Sequence, residues 1–298
     1  MTNNPLQNPI RSALMMLGAS ALFAITAILA KALGQGIGGA PLHPFQISAG
    51  RFGFAMLTIL LVLAIKRPTF HKPAYKVHLL RSIAGWSGVT LMFTAVALIP
   101  VSDATAIGFL NPVVAMVLAA VFLREKVGRY RWLAAFIALI GAMILLRPGF
   151  GSFQIAAFFA LAAAAFMGLE ITIIKKLSGR EAPLQILTIN NIMGFAIAIS
   201  VASFFWVSPT PYQWLMLSAI GVIMVSGQAL FIQSLRAADA SFAAPFSYSM
   251  LIFATFYDML VFHTTPDWIS VLGGGIILSG AFLLAWREAF HNKRKIQR

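Results

Sequence analysis

The stretch from Ser12 to Leu33 carries a single charged residue, Lys31, and nine further stretches of comparable length and polarity follow it. A helix needs about 20 apolar residues to cross the roughly 30 Å hydrocarbon core of a bilayer, where its backbone must satisfy its own hydrogen bonds. The segments run over 12–33, 44–65, 77–99, 102–123, 130–147, 153–176, 184–206, 212–235, 240–262 and 268–286. Charged residues, prolines and glycines punctuate the links between them. The expectation is an all-α integral membrane protein of ten transmembrane helices, with links too short for a soluble domain. The first segment is too long for a signal-peptide core and reads as a retained helix.

Composition agrees: 60% of residues are hydrophobic and 10% charged, far from the balance of a soluble domain. A formal charge of +14 would point to nucleic acid in a soluble chain. Here the basic residues instead follow the rule that Lys and Arg collect on the cytoplasmic side. Lys66, Arg67, Lys72, Lys76 and Arg81 flank the second link, Arg124, Lys126, Arg129 and Arg131 the fourth, Lys175, Lys176 and Arg180 the sixth, and Arg236 the eighth. Arg11 precedes the first span, and Arg287, Lys293, Arg294, Lys295 and Arg298 follow the last; Arg147 is the main exception on the odd-numbered links. Both termini are therefore expected in the cytoplasm, and no nucleic-acid partner is expected.

Several chemistries drop out. The absence of cysteine removes disulfides, zinc–thiolate sites and thiol nucleophiles. There is no Walker-type phosphate loop, which argues against direct ATP drive, and no His-Glu-x-x-His run. The five histidines lie near span ends or in links rather than deep in a span, where a membrane hydrolase would need one. Neither an enzyme nor a cofactor or metal centre is expected.

The two halves echo each other, 1–150 against 151–298. Pro44-Phe45-Gln46-Ile47 followed by Gly53-Phe54-Ala55 resembles Pro183-Leu184-Gln185-Ile186 followed by Gly194-Phe195-Ala196. Ser102-Asp103-Ala104-Thr105 resembles Ala238-Asp239-Ala240-Ser241, Gly141-Ala142 resembles Gly280-Ala281, and Lys31 and Lys175 each end the first span of their half. Five spans per half is an odd number, so the second copy must enter the membrane from the opposite side. Inverted repeats of this kind underlie alternating access around a central site.

With these motifs the chain resembles the drug/metabolite transporter superfamily, in its EamA-type branch with two EamA units, over nearly its whole length. The matching residues are Asn111-Pro112 followed by Phe122-Leu123-Arg124-Glu125, Gly141 in the next span, and Ser234-Leu235-Arg236-Ala237-Ala238-Asp239-Ala240 followed by Ala244-Pro245-Phe246-Ser247-Tyr248. One departure is plain: His263-Thr264 stands where the second unit usually carries a glutamate. The resemblance implies a bacterial inner-membrane secondary carrier, often an exporter of amino acids and in one branch of aromatic ones. Carriers of S-adenosylmethionine, nucleotide sugars or cationic drugs share the fold and are the alternative.

Charge inside a span is costly and marks function by default. Glu170, deep in the sixth span, can bind an ammonium group or exchange a proton, and only Lys175 stands near it in sequence. Arg51 can hold a substrate carboxylate bidentately or close a gate. Asp258 can pair with Arg51 or Lys31 as an outer gate, although a lysine near a span end more often snorkels to the surface. Trp86, Thr90, Asn111, Asn190, Gln228, Ser247 and Tyr248 supply polar and aromatic groups for a cavity, and Pro112 and Pro245 can kink gating helices. Ala134, Ala138 and Ala142, with Gly275 and Ser279, form small-residue stripes that place the fifth and tenth spans at the periphery. The expected partners are a small-molecule substrate, most readily an amino acid, and the lipid bilayer; proton coupling and oligomeric state stay open.

Overall fold

The computed structural model describes residues 9–70, 72–122, 129–146, 155–178, 181–237 and 246–296. Among them all regular structure is helical: α1 (Pro9–Gly34), α2 (Pro44–Lys66), α3 (Tyr75–Leu98), α4 (Val101–Gly108), α5 (Asn111–Phe122), α6 (Arg129–Leu146), α7 (Ile155–Ser178), α8 (Pro183–Ala202), α9 (Pro211–Ala237), α10 (Ser249–Phe262) and α11 (Trp268–Ile296). Among the described residues, seven stretches are long and apolar enough to cross a membrane. Three shorter apolar helical stretches, Ala135–Leu145, Ser249–Phe262 and Trp268–Gly280, stand where the fifth, ninth and tenth spans are expected. Glu125, Arg147, Asp239 and Pro245 lie outside the described residues, as do the side chains of Pro112, Ala134 and Lys175.

Local chemistry sets several boundaries. Pro44 occupies the first turn of α2, where its missing N–H costs nothing, and the Nδ1 of His43 accepts from the amide of Phe45 at 3.3 Å. The fourth expected span is two helices rather than one kinked helix. Pro112 has no N–H to give the carbonyl four residues earlier, that of Gly108, so the helical ladder lacks that bond. α4 ends at Gly108, and the chain turns through Phe109 and Leu110 before α5 begins. His263, at the family's usual glutamate position, takes a left-handed conformation with φ 55° and ends α10 by donating its amide to Met259 O at 3.1 Å.

α1 packs along α9, α3 along α7, and α6 along α11, while α2 lies against both α8 and α9, and α3 also meets α8. α1 further meets α10, and α4 and α5 meet α7. In lipid, helix association depends on close van der Waals fit. The ring of Phe52 on α2 covers Gly194 on α8, and the ring of Phe195 on α8 covers Gly53 on α2; a Cβ at either glycine would come within 2.8 Å of the facing ring. Ala138 and Ala142 of α6 are buried as their stripe predicts. On α11 the contact stripe differs from expectation. Gly273 and Ile277 face Gly141, whereas Gly275 and Ser279 are exposed, and a Cβ added at Gly275 would meet nothing within 4 Å.

Candidate functional site

Among the described residues, polar side chains meet across helices near the middle of this apolar frame and toward each end. The middle group is built on α2, α3 and α7. Arg51 lies seven residues into α2, about 10 Å along its axis, and Glu170 eight residues before the end of α7, about 12 Å from the opposite end. Both therefore sit well inside a layer of roughly 30 Å. Arg81 of α3 brings Nη2 to 3.3 Å from Glu170 Oε1 and donates Nη1 to the carbonyl of Ile186 on α8 at 3.2 Å. Glu170 is thus not isolated, and its partner is Arg81 rather than a neighbour in sequence. Gly85, one turn after Arg81, makes room for that carboxyl: a Cβ there would lie 2.9 Å from Glu170 Cδ. The run Gly85-Trp86-Ser87-Gly88 spells a Gly-x-Ser-Gly pattern, but it sits within α3, where its glycines admit Glu170 and Met167 of α7, and it forms no nucleophile turn.

Arg51 is 4% exposed, with its guanidinium 4.0 Å from the Phe52 ring centroid, and it stands within electrostatic reach of both Glu170 and Arg81. Both guanidiniums thus lie in the field of one carboxylate, and Arg81 is the one that contacts it. Arg51 Nε and Nη1, Arg81 Nε, Trp86 Nε1 and Thr90 Oγ1 are buried without a hydrogen-bond partner among the described residues. Such atoms cost free energy unless a ligand or water satisfies them. Trp86 and Thr90 are one turn apart on α3, and the Trp86 ring stacks on Phe45 with centroids 5.8 Å apart. Ser82, one turn before Trp86, donates to Asn190 Oδ1 at 3.3 Å. The middle of the molecule thus offers two guanidiniums, one partly exposed carboxylate and Trp86, whose ring reaches Phe45 in the first turn of α2.

At the end where α1 finishes, Lys31 Nζ lies 2.6 Å from Asp258 Oδ1, with both side chains buried. Asp258 Oδ2 accepts the amide of Val101 at 3.0 Å, so one carboxylate joins α1, α10 and the start of α4. Lys31 also covers the Phe262 ring at 4.3 Å. Asp258 is paired with Lys31 and not with Arg51, and Lys31 is enclosed rather than snorkelling. At the same end Gln46 exchanges two hydrogen bonds with the backbone of Val207, at 2.6 and 3.1 Å, and Gln213 donates to Ala40 O at 2.8 Å.

The opposite end carries a cluster that span-by-span reading misses. Glu181, between α7 and α8, meets His78 Nε2 at 2.8 Å, accepts from Gln185 Nε2 at 2.7 Å and accepts the amide of Ala74 at 3.0 Å. Burial raises the Glu181 carboxyl, but the Ala74 amide, His78 and Gln185 outweigh it and hold the carboxyl below its ordinary value. Gln185 and Gln46 are each the third residue of their helix, a symmetry visible in the repeated Pro-x-Gln-Ile; His78 with Glu181 has no such signature.

The remaining expected cavity residues have other surroundings. The carbonyl of Asn111, at the start of α5, lies against Gly168 of α7. Ser20 donates to the carbonyl of Ser247 at 3.3 Å, and Tyr248 sets its ring edge-on to Phe109 at 5.3 Å. Gln228 is half-buried on α9.

Comparison with known proteins bears on what such a site serves. The model of the EamA-like transporter family matches residues 10–147 and again 154–286. The chain is 30% identical over 284 residues to a riboflavin transporter of Vibrio cholerae, covering 94% of each chain. It is 28% identical over 263 residues to an S-adenosylmethionine uptake transporter of Rickettsia bellii, covering 87% of this chain and 89% of that one. A pseudopaline exporter of Pseudomonas aeruginosa is 25% identical and covered over 84% of its length, against 78% of this chain. A protein of known crystal structure superposes with a TM-score of 0.64 over 92% of this chain and 97% of that one at 17% identity, a likeness of fold.

Proposed function

The chain belongs to the EamA-like transporter family, and from that premise we propose that it is an alternating-access carrier for amino acids or related amino-carboxylate metabolites, aromatic ones first. Membership and relatives make it a multi-pass inner-membrane transporter of small metabolites, not an enzyme. The observation that carries the finer reading is the Arg51 guanidinium, 4% exposed with two unpartnered nitrogens and within electrostatic reach of Glu170, on the helix whose Phe45 stacks on Trp86. Arg51 receives a carboxylate, Glu170 an ammonium group, and the aromatic wall a side chain or planar ring.

Alternating access rests on the two halves, 1–150 and 151–298, being inverted copies with both termini in the cytoplasm. The packing supports this: α1 on α9 is matched by α3 on α7, and α1 on α10 by α4 and α5 on α7, when each helix is exchanged for its counterpart. The reciprocal Phe52–Gly194 and Phe195–Gly53 contacts fit an axis passing between α2 and α8. In this orientation Lys31–Asp258 closes the outer end and His78–Glu181 the cytoplasmic end. Relatives named for uptake and for export both align, so export is a proposal about the gradient that drives the carrier, not about its fold.

S-adenosylmethionine is the second reading, favoured by the Rickettsia relative and by its own amino-carboxylate head and planar base. Flux into proteoliposomes decides between them. Saturable movement of labelled phenylalanine, abolished by Arg51→Gln, is the expected result. Flux of S-adenosylmethionine alone would replace the amino-acid reading, and flux of neither would end both. Repeating the assay with and without a pH gradient reads out proton coupling.

A further inference from the structure

We infer that Arg81 is a tethered competitor for the substrate's positive group: it occupies Glu170 in the empty carrier and yields it to a cation on the substrate. This rests on the proposed site and concerns the ligand that site prefers. The contact with Glu170 spans 3.3 Å and does not meet hydrogen-bond geometry, whereas Lys31 and Asp258 form a hydrogen-bonded pair at 2.6 Å. The exposures differ in the same sense: the Glu170 side chain is 19% exposed, its partner Arg81 4%, and the Lys31–Asp258 pair 4% and 2%. A loose pair with one accessible carboxylate exchanges partners more readily than a tight enclosed one.

Arg81 is also held without Glu170. Its Nη1 donates to the Ile186 carbonyl on α8, so the guanidinium has an anchor when the carboxylate turns to another cation. A carboxylate left uncompensated in a membrane interior is costly. Arg81 supplies the compensation internally, and Gly85 keeps the carboxyl close against α3 in the meantime. With Arg51 also within electrostatic reach of Glu170, the centre holds two positive groups against one negative. A purely cationic ligand meets that excess and must displace Arg81 unaided. A carboxylate alone needs only Arg51. An amino acid brings an anion for Arg51 and a cation for Glu170, and so can do both. The arrangement therefore selects against simple amines.

Three probes on the full chain in lipid nanodiscs separate the steps: phenylalanine, 3-phenylpropionate and 2-phenylethylamine, with Kd read by calorimetry. In the unaltered protein the order expected is phenylalanine and phenylpropionate ahead of the amine. Arg81→Gln should tighten the amine and phenylalanine by about tenfold and leave phenylpropionate unimproved, and adding Glu170→Gln should cancel the gain. Arg81→Lys, which keeps the charge but loses the fork, should shift affinities the same way by less and serves if the glutamine variant does not fold. Unchanged or weaker amine affinity in the Arg81 variants overturns the competition. Failure of the unaltered protein to bind either carboxylate overturns the Arg51 reading, while the amine arm still reports on Arg81.

Discussion

At the end where α1 finishes, Asp258 accepts from Lys31 and from the amide of Val101, which opens α4; at the opposite end Glu181 accepts from Gln185 and from the amide of Ala74, just before α3, and meets His78. Both ends tie a carboxylate to the start of a helix from the other half of the chain. They differ in the basic partner. One end is built from a buried lysine–aspartate pair, the other from a histidine, a glutamine and a glutamate. Between them Arg51 Nε and Nη1 are buried without a hydrogen-bond partner among the described residues, as is His78 Nδ1 in the Glu181 cluster.

The sharpest way to break this comparison is at Asp258. Asp258→Leu leaves Lys31 as a buried unpaired cation and the Val101 amide without an acceptor, and should cost about 3 kcal/mol of stability, read as a lowered midpoint of unfolding in detergent. Adding Lys31→Met should recover most of that loss; no recovery would mean the pair does not act as a unit. Glu181→Gln keeps a hydrogen-bonding amide and should cost less, about 1–2 kcal/mol.

Acid distinguishes the His78–Glu181 end next. Glu181 lies below its ordinary value of 4.5 in the folded protein, so its contribution is complete above that value and fades as pH falls through the lower folded one. Stability should drop with acid below about pH 4.5, and the part due to this carboxyl should be missing from Glu181→Gln. The smallest stability effect is expected at the centre. Arg51→Gln removes a guanidinium with two unpartnered nitrogens, so it should alter stability by less than about 1 kcal/mol while removing substrate binding. A large destabilisation there would assign Arg51 to structure.

How much of this was legible in the sequence depends on range. Membrane segments follow from local hydropathy, and the break before α5 follows from one proline acting four residues back. The enclosed Lys31–Asp258 pair could be named from two charges near the same ends of their spans, with Arg51 as the other candidate. Arg81 counted only as one more basic residue beside a link. Its role depends on the face of α3 that meets α7, a long-range fact that hydropathy does not carry. A signal was present in Arg81, Gly85 and Gly88, spaced to share one helix face, where small residues admit a neighbouring helix. His78 and Glu181 were hidden for the same reason, since each sits at a span end where polar residues are ordinary. The Gly275 and Ser279 stripe misled because small residues on one face also suit lipid, and Gly273 with Ile277 carries the helix contact instead.

Because the chain has no cysteine, introduced thiols report without background. The most direct test of alternating closure joins the outer end through Gln46→Cys with Val207→Cys, using a short bifunctional reagent, and then follows labelling of Ala74→Cys by a membrane-impermeant maleimide from the cytoplasmic side. Locking the outer end should raise labelling at Ala74→Cys. Labelling that falls, or that ignores the cross-link, would contradict two ends that open in turn around Arg51 and Glu170.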